Sequence, residues 1–541
     1  MQHWKPKAEN YILNFMKPFV LTILDGWGYS PQRLGNAILY AQTPFIDLAQ
    51  RNYPSLLLQA SGKAVGMTWG EAGNSEVGHL IIGAGRTIFQ YLSRINKAIS
   101  DGSFYENEAL LKAVNHVKNN NSTLHVAGLL TSGSVHAHMS HLFALIDLAA
   151  KNDIGNLKIH LFADGKDSGL KEAPALIKKL QDHIDKTGTG VVATIIGRDY
   201  AMDRGKNWDN TKKAYGLLTR GSGDLVKSQS ENGAGKVEDI IQKIELLYTM
   251  GYTDPQLTPL LIDESGFIKD NDALIFFNFR EDSMRQITRS FIEQDFQIFP
   301  IDHFSNLLVV AMTQYLENPR LSVAFPLPKI KNSLAEVLSR NGKTQLHIAE
   351  SEKYAHTTYF FNCLNNTPYT GETDIFIESL EDHINNPEMR AMDIAERIEE
   401  YLKQDQYDFY VINFANPDVI SHLGNLEATI RGIEKVDVAI KKIADAVLAK
   451  DGIMIITSDH GNAESMVYES SGEKKTKHEE SPVPFYLIGK QFQKERKIEE
   501  IERTWSQVSG ILSDVAPTIL ELMEIPKPEE MTGDSLLRLL Q

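Results

Sequence analysis

The sequence predicts an α/β fold with largely parallel sheets, because strand-like apolar runs alternate with amphipathic helical stretches along its 541 residues. Three of these runs end in an aspartate, and they are residues 19–24 before Asp25, residues 409–414 before Asp418, and residues 453–456 before Asp459. Ligands of open α/β sheets bind outside the carboxyl ends of the strands. We therefore expect the three aspartates to converge on one site.

Five further strands are predicted between the first aspartate and the other two, at residues 124–130, 157–162, 191–196, 273–277 and 307–312. A chain of this length is too long for one compact core. Metal-type residues lie near both chain ends, whereas the middle carries arginines and histidines suited to anions. This distribution predicts a discontinuous metal-binding domain, residues 1–90 with 327–541, and an inserted domain, residues 91–326, with a helix at 333–340 after the second crossover.

Composition excludes several classes of protein. The net charge of −16 argues against a nucleic-acid-binding protein, which usually presents a basic face. The single cysteine, Cys363, excludes an intrachain disulfide framework and fits a reducing cytoplasm. No run approaches the ~20 apolar residues of a membrane span, and residues 1–17 lack the apolar core of a signal peptide. We expect a cytoplasmic monomer without membrane or nucleic-acid partners.

The first candidate metal motif is Asp418 with His422. A spacing of four places both side chains on one face of a helix, and Pro417 suits a helix start. A carboxylate and an imidazole in this position suit a divalent metal such as Mn²⁺ or Zn²⁺. The alternative is a helix N-cap followed by a surface histidine.

The second candidate motif places Asp459 and His460 together directly after an apolar run, where Gly461 permits a sharp turn. An ordinary loop with a capping aspartate is the alternative. The adjacent histidine and the recurrence of aspartates at strand ends favour a metal site. His478, in a polar loop, would be a further ligand.

The glycine-rich segment 70–85 carries Ser75 at an expected helix entry. A helix N-terminus favours negative charge, so a phosphorylated Ser75 would be stabilised there. Serine needs a base or a metal to become a good nucleophile, and the predicted metal site would supply that activation. The alternative is a capping serine with turn-forming glycines, and the segment contains no P-loop motif.

Anion-type residues follow the predicted strands in the middle of the chain. They are His136, Lys166, Asp167, Arg198, Arg204 and Arg280. The guanidinium group matches phosphate and carboxylate geometry. Scattered arginines are usually solvated, so the position at strand ends is what favours binding. Asp167 suits the hydroxyls of a small ligand and Lys166 its anionic group.

Together these motifs resemble one family, the cofactor-independent (2,3-bisphosphoglycerate-independent) phosphoglycerate mutases of the alkaline-phosphatase superfamily. The resemblance extends from Phe19 to about Leu540. Seven motifs carry it in the family's order, at residues 24–28, 73–79, 200–204, 276–280, 352–356, 415–418 with 422, and 458–462. It implies an alkaline-phosphatase-like domain built from both chain ends and an inserted phosphotransferase domain.

The resemblance also implies roles. One metal ion would be held by Asp25, Ser75, Asp459 and His460, and a second by Asp418, His422 and His478. The ions are most often Mn²⁺, and Ser75 is the implied nucleophile. The implied substrate residues are His136, Lys166, Asp167, Arg198, Arg204, Arg280 and Lys353, with Asp167 and Lys353 also catalytic.

The implied reaction is the interconversion of 3-phosphoglycerate and 2-phosphoglycerate in glycolysis and gluconeogenesis, through a phosphoserine and without 2,3-bisphosphoglycerate. Two positions depart from the family, which has arginine where this chain has Lys166 and Ser283; Arg285 lies two residues after the second. Both fall among the substrate residues. They motivate the alternative of a metal-dependent phosphatase or a mutase of another phosphorylated metabolite. A non-enzymatic metal-binding relative is a further alternative, which retention of Ser75 disfavours.

Overall fold

The structure, a computed structural model, describes residues 17–227 and 237–540. The N-terminal segment interpreted above as an extension therefore lies, up to residue 16, outside the described residues. Contacts between Cα atoms divide the chain into two compact units. The discontinuous unit comprises Met1–Phe89 and Lys329–Gln541, and the inserted unit comprises Gln90–Pro328.

Sixteen β-strands occur in the described part of the chain and are numbered in chain order. They are β1 Phe19–Leu24, β2 Ser55–Gln59, β3 Leu124–Leu130, β4 Leu157–Ala163, β5 Val191–Gly197, β6 Asp224–Leu225, β7 Leu260–Leu261, β8 Ala273–Phe276, β9 Leu308–Thr313, β10 Leu321–Phe325, β11 Gln345–Glu350, β12 Glu372–Ile377, β13 Phe409–Phe414, β14 Ile453–Thr457, β15 Val483–Ile488 and β16 Val508–Ile511. All eight strands predicted from the sequence are present, with ends that differ by at most one residue.

The α-helices alternate with these strands, as the sequence predicts. Within residues 17–227 and 237–540 they are α1 Ala37–Tyr40, α2 Pro44–Asn52, α3 Ser75–Ala84, α4 Tyr91–Asp101, α5 Glu108–Asn120, α6 Met139–Lys151, α7 Ala173–Thr187, α8 Arg198–Ala201, α9 Trp208–Arg220, α10 Val237–Thr249, α11 Arg285–Ile292, α12 Leu334–Arg340, α13 Ala391–Lys403, α14 Asn416–His422, α15 Leu426–Ala449, α16 Ile498–Trp505, α17 Val515–Leu522 and α18 Leu537–Leu540. No helix among the described residues has the length and apolarity needed to span a membrane.

The discontinuous unit contains one eight-stranded sheet in the order β12-β11-β13-β1-β14-β15-β2-β16. The three strands that end in aspartates are neighbours, because β1 pairs in parallel with β13 on one side and with β14 on the other. Their carboxyl ends therefore meet at one edge of the sheet. Only β15 runs antiparallel to its neighbours.

The central strand β1 is buried at every position and apolar at all but Thr22, because both faces of the sheet are covered. Val20 and Leu24 pack into a core on one face. Phe19, Leu21 and Ile23 pack into a second core on the other. A continuous apolar run, rather than an alternating one, is what such a doubly covered strand requires.

The inserted unit contains a second eight-stranded sheet, in the order β10-β9-β8-β3-β4-β5-β7-β6. Its long strands β3, β4, β5, β8, β9 and β10 are parallel, whereas β7 is antiparallel to β5. One extended hydrophobic core surrounds them. The fold is therefore α/β with largely parallel sheets in both units, as predicted.

Candidate active site

Ser75 is the first residue of helix α3, and Asn74 caps this helix by accepting a hydrogen bond from the Val77 amide. A glycine at position 78 brings the helix close to the end of β14, since a Cβ atom there would lie 2.5 Å from the carbonyl oxygen of Asp459. The sequence thus places a buried serine beside the aspartate that follows β14.

The first group of metal-type residues surrounds this serine. The hydroxyl of Ser75 donates to Asp25 Oδ1 at 2.9 Å and lies 3.0 Å from Nε2 of His460. Asp25, Asp459 and His460 are fully buried. One potential ligand atom from each of these three residues lies within 4.8 Å of the others. A hydroxyl, two carboxylates and an imidazole therefore share one pocket.

The second group consists of Asp418, His422 and His478. The two imidazole Nε2 atoms lie 2.9 Å apart, and Asp418 Oδ1 lies 3.3 Å from one and 3.4 Å from the other. Helix α14 carries Asp418 and His422 four residues apart, as the sequence predicts. The loop residue His478 completes the group.

The hydrogen bonds of the histidines decide which nitrogen is free. Nδ1 of His422 lies 2.9 Å from the carbonyl of Thr476, and Nδ1 of His478 lies 2.9 Å from the carbonyl of Gly73. A carbonyl only accepts, so each Nδ1 carries a proton and each Nε2 is the nitrogen left to face a metal ion. Orientation of a metal-binding histidine by such a partner is typical of protein metal sites. The donor set therefore fits a divalent cation.

Lys353 lies between the two groups. Its buried ammonium nitrogen is 2.7 Å from Asp25 Oδ1, Ser75 Oγ and Asp418 Oδ2. Burial alone would lower the pKa of Lys353, but the surrounding carboxylates outweigh burial and raise it. The lysine is therefore a permanent cation beside the serine hydroxyl.

The same charges set the pKa values of the ligands. Burial would raise the pKa of Asp25, but Lys353 and His460 hold it below its usual range. Burial would lower the pKa of His460, but Asp459, Asp25 and Asp418 raise it to about 10. At neutral pH His460 is protonated when no metal ion competes for its nitrogen.

In the inserted unit, His136, Asp167 and Arg198 form a buried cluster at the ends of strands. Nδ1 of His136 lies 2.7 Å from Asp167 Oδ2, and Arg198 donates to Asp167 Oδ1 at 2.8 Å and to Asp164 Oδ1. Burial would raise the pKa of Asp167, but His136 and Arg198 lower it to about 2. This carboxylate is ionised across the physiological range.

Arg204 and Arg280 join the cluster through Asp282. Both guanidinium groups pair with Asp282 Oδ2, and Asp282 Oδ1 lies 3.8 Å from Nε2 of His136. The structure thus brings together five of the six predicted substrate residues of this unit. The sixth, Lys166, is exposed and pairs its ammonium with Asp199 instead.

The second departure from the family pattern is Ser283, which stands where the family has an arginine. Ser283 is buried, and its hydroxyl bonds to the adjacent Asp282. Arg285 pairs with Glu281 at 3.6 Å, one helical turn earlier. Arg285 is therefore engaged elsewhere and does not pair with Asp282.

Three residues of the discontinuous unit contact the metal-type residues although the sequence analysis gave them no role. Asn413 donates to Asp25 Oδ2 at 2.8 Å, and Asn462 donates to Asp418 Oδ1 at 2.7 Å. Nδ1 of His79 lies 2.9 Å from the Ser75 carbonyl and 3.1 Å from Asp459 Oδ2. For Asn413, the sequence offers one sign of a role: it is a polar amide inside the otherwise apolar strand β13.

Comparison with known proteins identifies the family. The model for the BPG-independent PGAM N-terminus matches residues 95–317, and the Sulfatase model matches residues 302–525. The 2,3-bisphosphoglycerate-independent phosphoglycerate mutase of Clostridium botulinum is 42% identical over 96% of this chain and 99% of its own length. The chain belongs to this mutase family. Mutase 1 of Methanosarcina barkeri is 43% identical over 96% of the chain and 98% of that relative.

A solved structure of the Leishmania mexicana phosphoglycerate mutase, at low cobalt concentration, shares the fold. It superposes with a TM-score of 0.61 at 28% identity and covers 96% of this chain and 97% of its own. The mutase family thus accounts for both units. The Sulfatase match agrees with the alkaline-phosphatase-like fold expected for the discontinuous unit.

Proposed function

We propose that this protein interconverts 3-phosphoglycerate and 2-phosphoglycerate by resting the phosphoryl group on Ser75, without 2,3-bisphosphoglycerate. One observation carries the proposal. The hydroxyl of Ser75 lies within 3.0 Å of Asp25, His460 and Lys353. This buried serine therefore contacts two potential metal ligands, Asp25 and His460, and the permanently charged ammonium of Lys353. That environment suits nucleophilic attack on a phosphate ester.

We assign the predicted domains to two tasks. Residues 1–90 with 327–541 form the metal-binding, phosphatase-like domain, which carries the nucleophile. Residues 91–326 form the phosphotransferase domain, which recognises the glycerate. The clustering of carboxylates and imidazoles in the first, and of arginines in the second, supports this division.

Two divalent ions complete the first domain. Asp25, Ser75, Asp459 and His460 would hold one, and Asp418, His422 and His478 the other. The ligands are nitrogen and oxygen only, which suits Mn²⁺, the ion most often found in the family. When bound, the ions lower the pKa of the serine hydroxyl and offset the charge of the phosphoryl group.

In the first step Ser75 Oγ loses its proton and attacks phosphorus in line, the bond from phosphorus to the glycerate oxygen breaks, and that oxygen takes up a proton to become a hydroxyl. Lys353, 2.7 Å from Oγ, stabilises the negative charge that spreads over the phosphoryl oxygens. In the second step the other glycerate hydroxyl loses its proton and attacks phosphorus, the bond from phosphorus to Ser75 Oγ breaks, and Oγ takes up a proton to restore the serine. Two in-line displacements retain the configuration at phosphorus.

The inserted unit binds the glycerate during both steps. Asp167 is ionised because its pKa is about 2, so it is a weak base and a strong acceptor that orients the hydroxyls. His136, Arg198, Arg204 and Arg280 provide donors for the carboxylate and phosphate groups, and Lys166 adds an exposed positive charge. Arg204 and Arg280 share Asp282, so an anionic substrate that pairs with these arginines would take the place of the Asp282 carboxylate.

We further propose that the enzyme acts in the cytoplasm as a monomer on this small-molecule substrate. The single cysteine supports a reducing compartment. The lack of heptad repeats in the sequence supports the monomer. Neither a nucleic acid nor a membrane is needed for the reaction.

The test of function is an assay of the purified protein on 3-phosphoglycerate after metal analysis. Formation of 2-phosphoglycerate and release of phosphate are measured side by side, with and without added 2,3-bisphosphoglycerate. We expect 2-phosphoglycerate in excess of phosphate and no effect of the bisphosphate. Phosphate as the main product would indicate the alternative phosphatase.

Metal uptake should depend on pH. Since His460 has a pKa of about 10 in the metal-free protein, it is protonated below that value, and a metal ion must displace this proton. Asp418 also raises the pKa of His422. We expect the apparent affinity for Mn²⁺ to fall about tenfold per pH unit for each displaced proton as the pH decreases. Activity at limiting Mn²⁺ should fall in parallel.

Calorimetric titration of Mn²⁺ in two buffers with different ionisation enthalpies measures the released protons. His460→Gln should release fewer protons than the unaltered chain. An activity profile that stays flat down to about pH 5, below the usual histidine range, would contradict the predicted competition between protons and metal.

A further inference from the structure

A third group of metal-type residues lies in the discontinuous unit, at the outer edge of its sheet. Strand β12 is the edge strand and pairs in parallel with β11, which places Asp374 opposite His347. Glu372 lies two residues before Asp374, on the same face of the strand. Two adjacent strands thus present one imidazole and two carboxylates to the same space.

The imidazole of His347 is buried without a hydrogen bond at Nδ1. This nitrogen lies 3.4 Å from Glu372 Oε1 and 3.9 Å from Asp374 Oδ1, too far for good hydrogen bonds. Asp374 Oδ1 is also buried without a partner. One potential ligand atom from each of the three residues lies within 4.8 Å of the others. His347 Nδ1 and Asp374 Oδ1 are therefore two buried atoms without a partner beside the Glu372 carboxylate, and they require a donor or a cation between them.

Among the described residues, neither Glu372 nor Asp374 forms an ion pair with a lysine or arginine. Burial lowers the pKa of His347 to about 4 and raises that of Asp374 to about 6. The imidazole is therefore uncharged at neutral pH and does not balance the carboxylates. Buried charges of this kind are normally paired or bound to a metal.

The surroundings orient Glu372 as the partners of a metal ligand would. Its Oε2 accepts a hydrogen bond from the amide of Tyr369 at 2.9 Å, and its Oε1 accepts one from the side chain of Asn362. Both bonds fix the carboxylate towards His347. Such outer hydrogen bonds commonly hold metal-binding carboxylates in place.

We propose that His347, Glu372 and Asp374 bind a third divalent cation of the Mn²⁺ or Zn²⁺ class, with water completing its coordination. One nitrogen and two oxygen ligands suit these ions. Asp374 is the entry side, since its side chain is 11% exposed at the sheet edge and the histidine is enclosed. In the described residues, the group shares no hydrogen bond or ion pair with Ser75 or Lys353.

The cation would stabilise the segment that follows β11. His347 packs edge-on against Phe361, with ring centroids 5.4 Å apart, and Asn362 bonds to Glu372. Lys353 lies between β11 and these two residues along the chain. The site therefore holds residues on both sides of Lys353 along the chain. A bound cation should raise the thermal stability of the protein and should have no direct role in phosphoryl transfer.

Ion counting tests the proposal. The full-length protein is incubated with MnCl₂ or ZnCl₂, freed of unbound metal by gel filtration, and analysed by mass spectrometry for metal per chain. We expect three ions in the unaltered protein and two in Asp374→Asn and in Glu372→Gln. The matched control is Asp393→Asn, an exposed carboxylate paired with Arg390 in the same unit, which should retain three. Two ions in the unaltered protein, or three in Asp374→Asn, would overturn the proposal.

Anomalous diffraction needs no variant and covers the case in which the substitutions prevent folding. Crystals of the unaltered protein grown with ZnCl₂ should show a zinc peak between His347, Glu372 and Asp374, besides two peaks near Ser75. Two peaks near Ser75 and none at the sheet edge would mean that a proton shared between the carboxylates satisfies the group. Mutase activity does not enter either measurement, so failure of the proposed function and failure of this site are distinguishable.

Discussion

Replacing Ser75 with alanine is expected to lower the kcat of phosphoglycerate interconversion by roughly 10⁴-fold to 10⁶-fold, the range for loss of a catalytic nucleophile. The reason is chemical, because Oγ lies between Asp25, His460 and Lys353 and alanine has no oxygen to take its place. The missing oxygen is also a proposed metal ligand. Metal content must therefore be measured together with the rate.

The control for this substitution is Ser333→Ala. Ser333 is likewise a buried serine at a helix start in the discontinuous unit, where it caps α12 by accepting from the Glu336 amide. Its loss should cost about 1 kcal/mol of stability and leave kcat unchanged. If Ser75→Ala retained mutase activity with both ions bound, the covalent route would be wrong.

Replacing Lys353 with methionine should produce the second largest loss. Methionine keeps much of the volume but removes the ammonium that lies 2.7 Å from Ser75 Oγ. We expect kcat to fall by roughly 10²-fold to 10³-fold, as for removal of a preorganised group that stabilises transition-state charge. KM should change much less, because most of the residues proposed to bind the glycerate lie in the inserted unit. Steady-state kinetics at saturating Mn²⁺ separates the two parameters.

Lys343→Met is the matched control, since Lys343 also pairs with an aspartate of the discontinuous unit but is partly exposed. Surface pairs of this kind contribute ~0–1 kcal/mol to stability, so its kinetics should match those of the unaltered enzyme. A Lys353→Met enzyme with normal kcat would show that the two ions alone stabilise the transferring group.

The sequence predicted the three strands that carry the aspartates because continuous apolar runs followed by polar turns are typical of buried parallel strands. It also predicted the helix that places Asp418 and His422 on one face. Both inferences rest on short-range patterns that a single sequence displays directly. The strands follow from apolar runs that end in polar residues, and the shared helix face follows from the spacing of four residues. The meeting of β13, β1 and β14 followed from the general rule for parallel sheets.

Other features depend on contacts that no local pattern reveals. The hydrogen bond from Asn413 to Asp25 joins a residue of β13 to one that follows β1, far away along the chain. The pairing of Lys166 with Asp199, and of Arg285 with Glu281, depends on the direction in which each side chain points. The sequence shows that Lys166 stands where the family has an arginine and that Arg285 lies near the second such position. Only the structure shows which carboxylates these two cations contact.

The sequence did not predict the group of His347, Glu372 and Asp374 at the sheet edge, for a similar reason. His347 precedes Glu372 by many residues, and neither the short strand β11 nor the polar start of β12 stands out as an apolar run. Their parallel pairing sets the imidazole opposite Asp374. Spacing along the chain contains no sign of that register.

The central claim is that the phosphoryl group passes through Ser75. The most direct measurement mixes the enzyme with 3-phosphoglycerate labelled in its phosphate, stops the reaction with acid within one turnover, and locates the label by peptide mass spectrometry. We expect label on the peptide that contains Ser75, and we expect it to disappear when unlabelled 2-phosphoglycerate is added before the acid. An active enzyme whose Ser75 peptide never carries the label would contradict it.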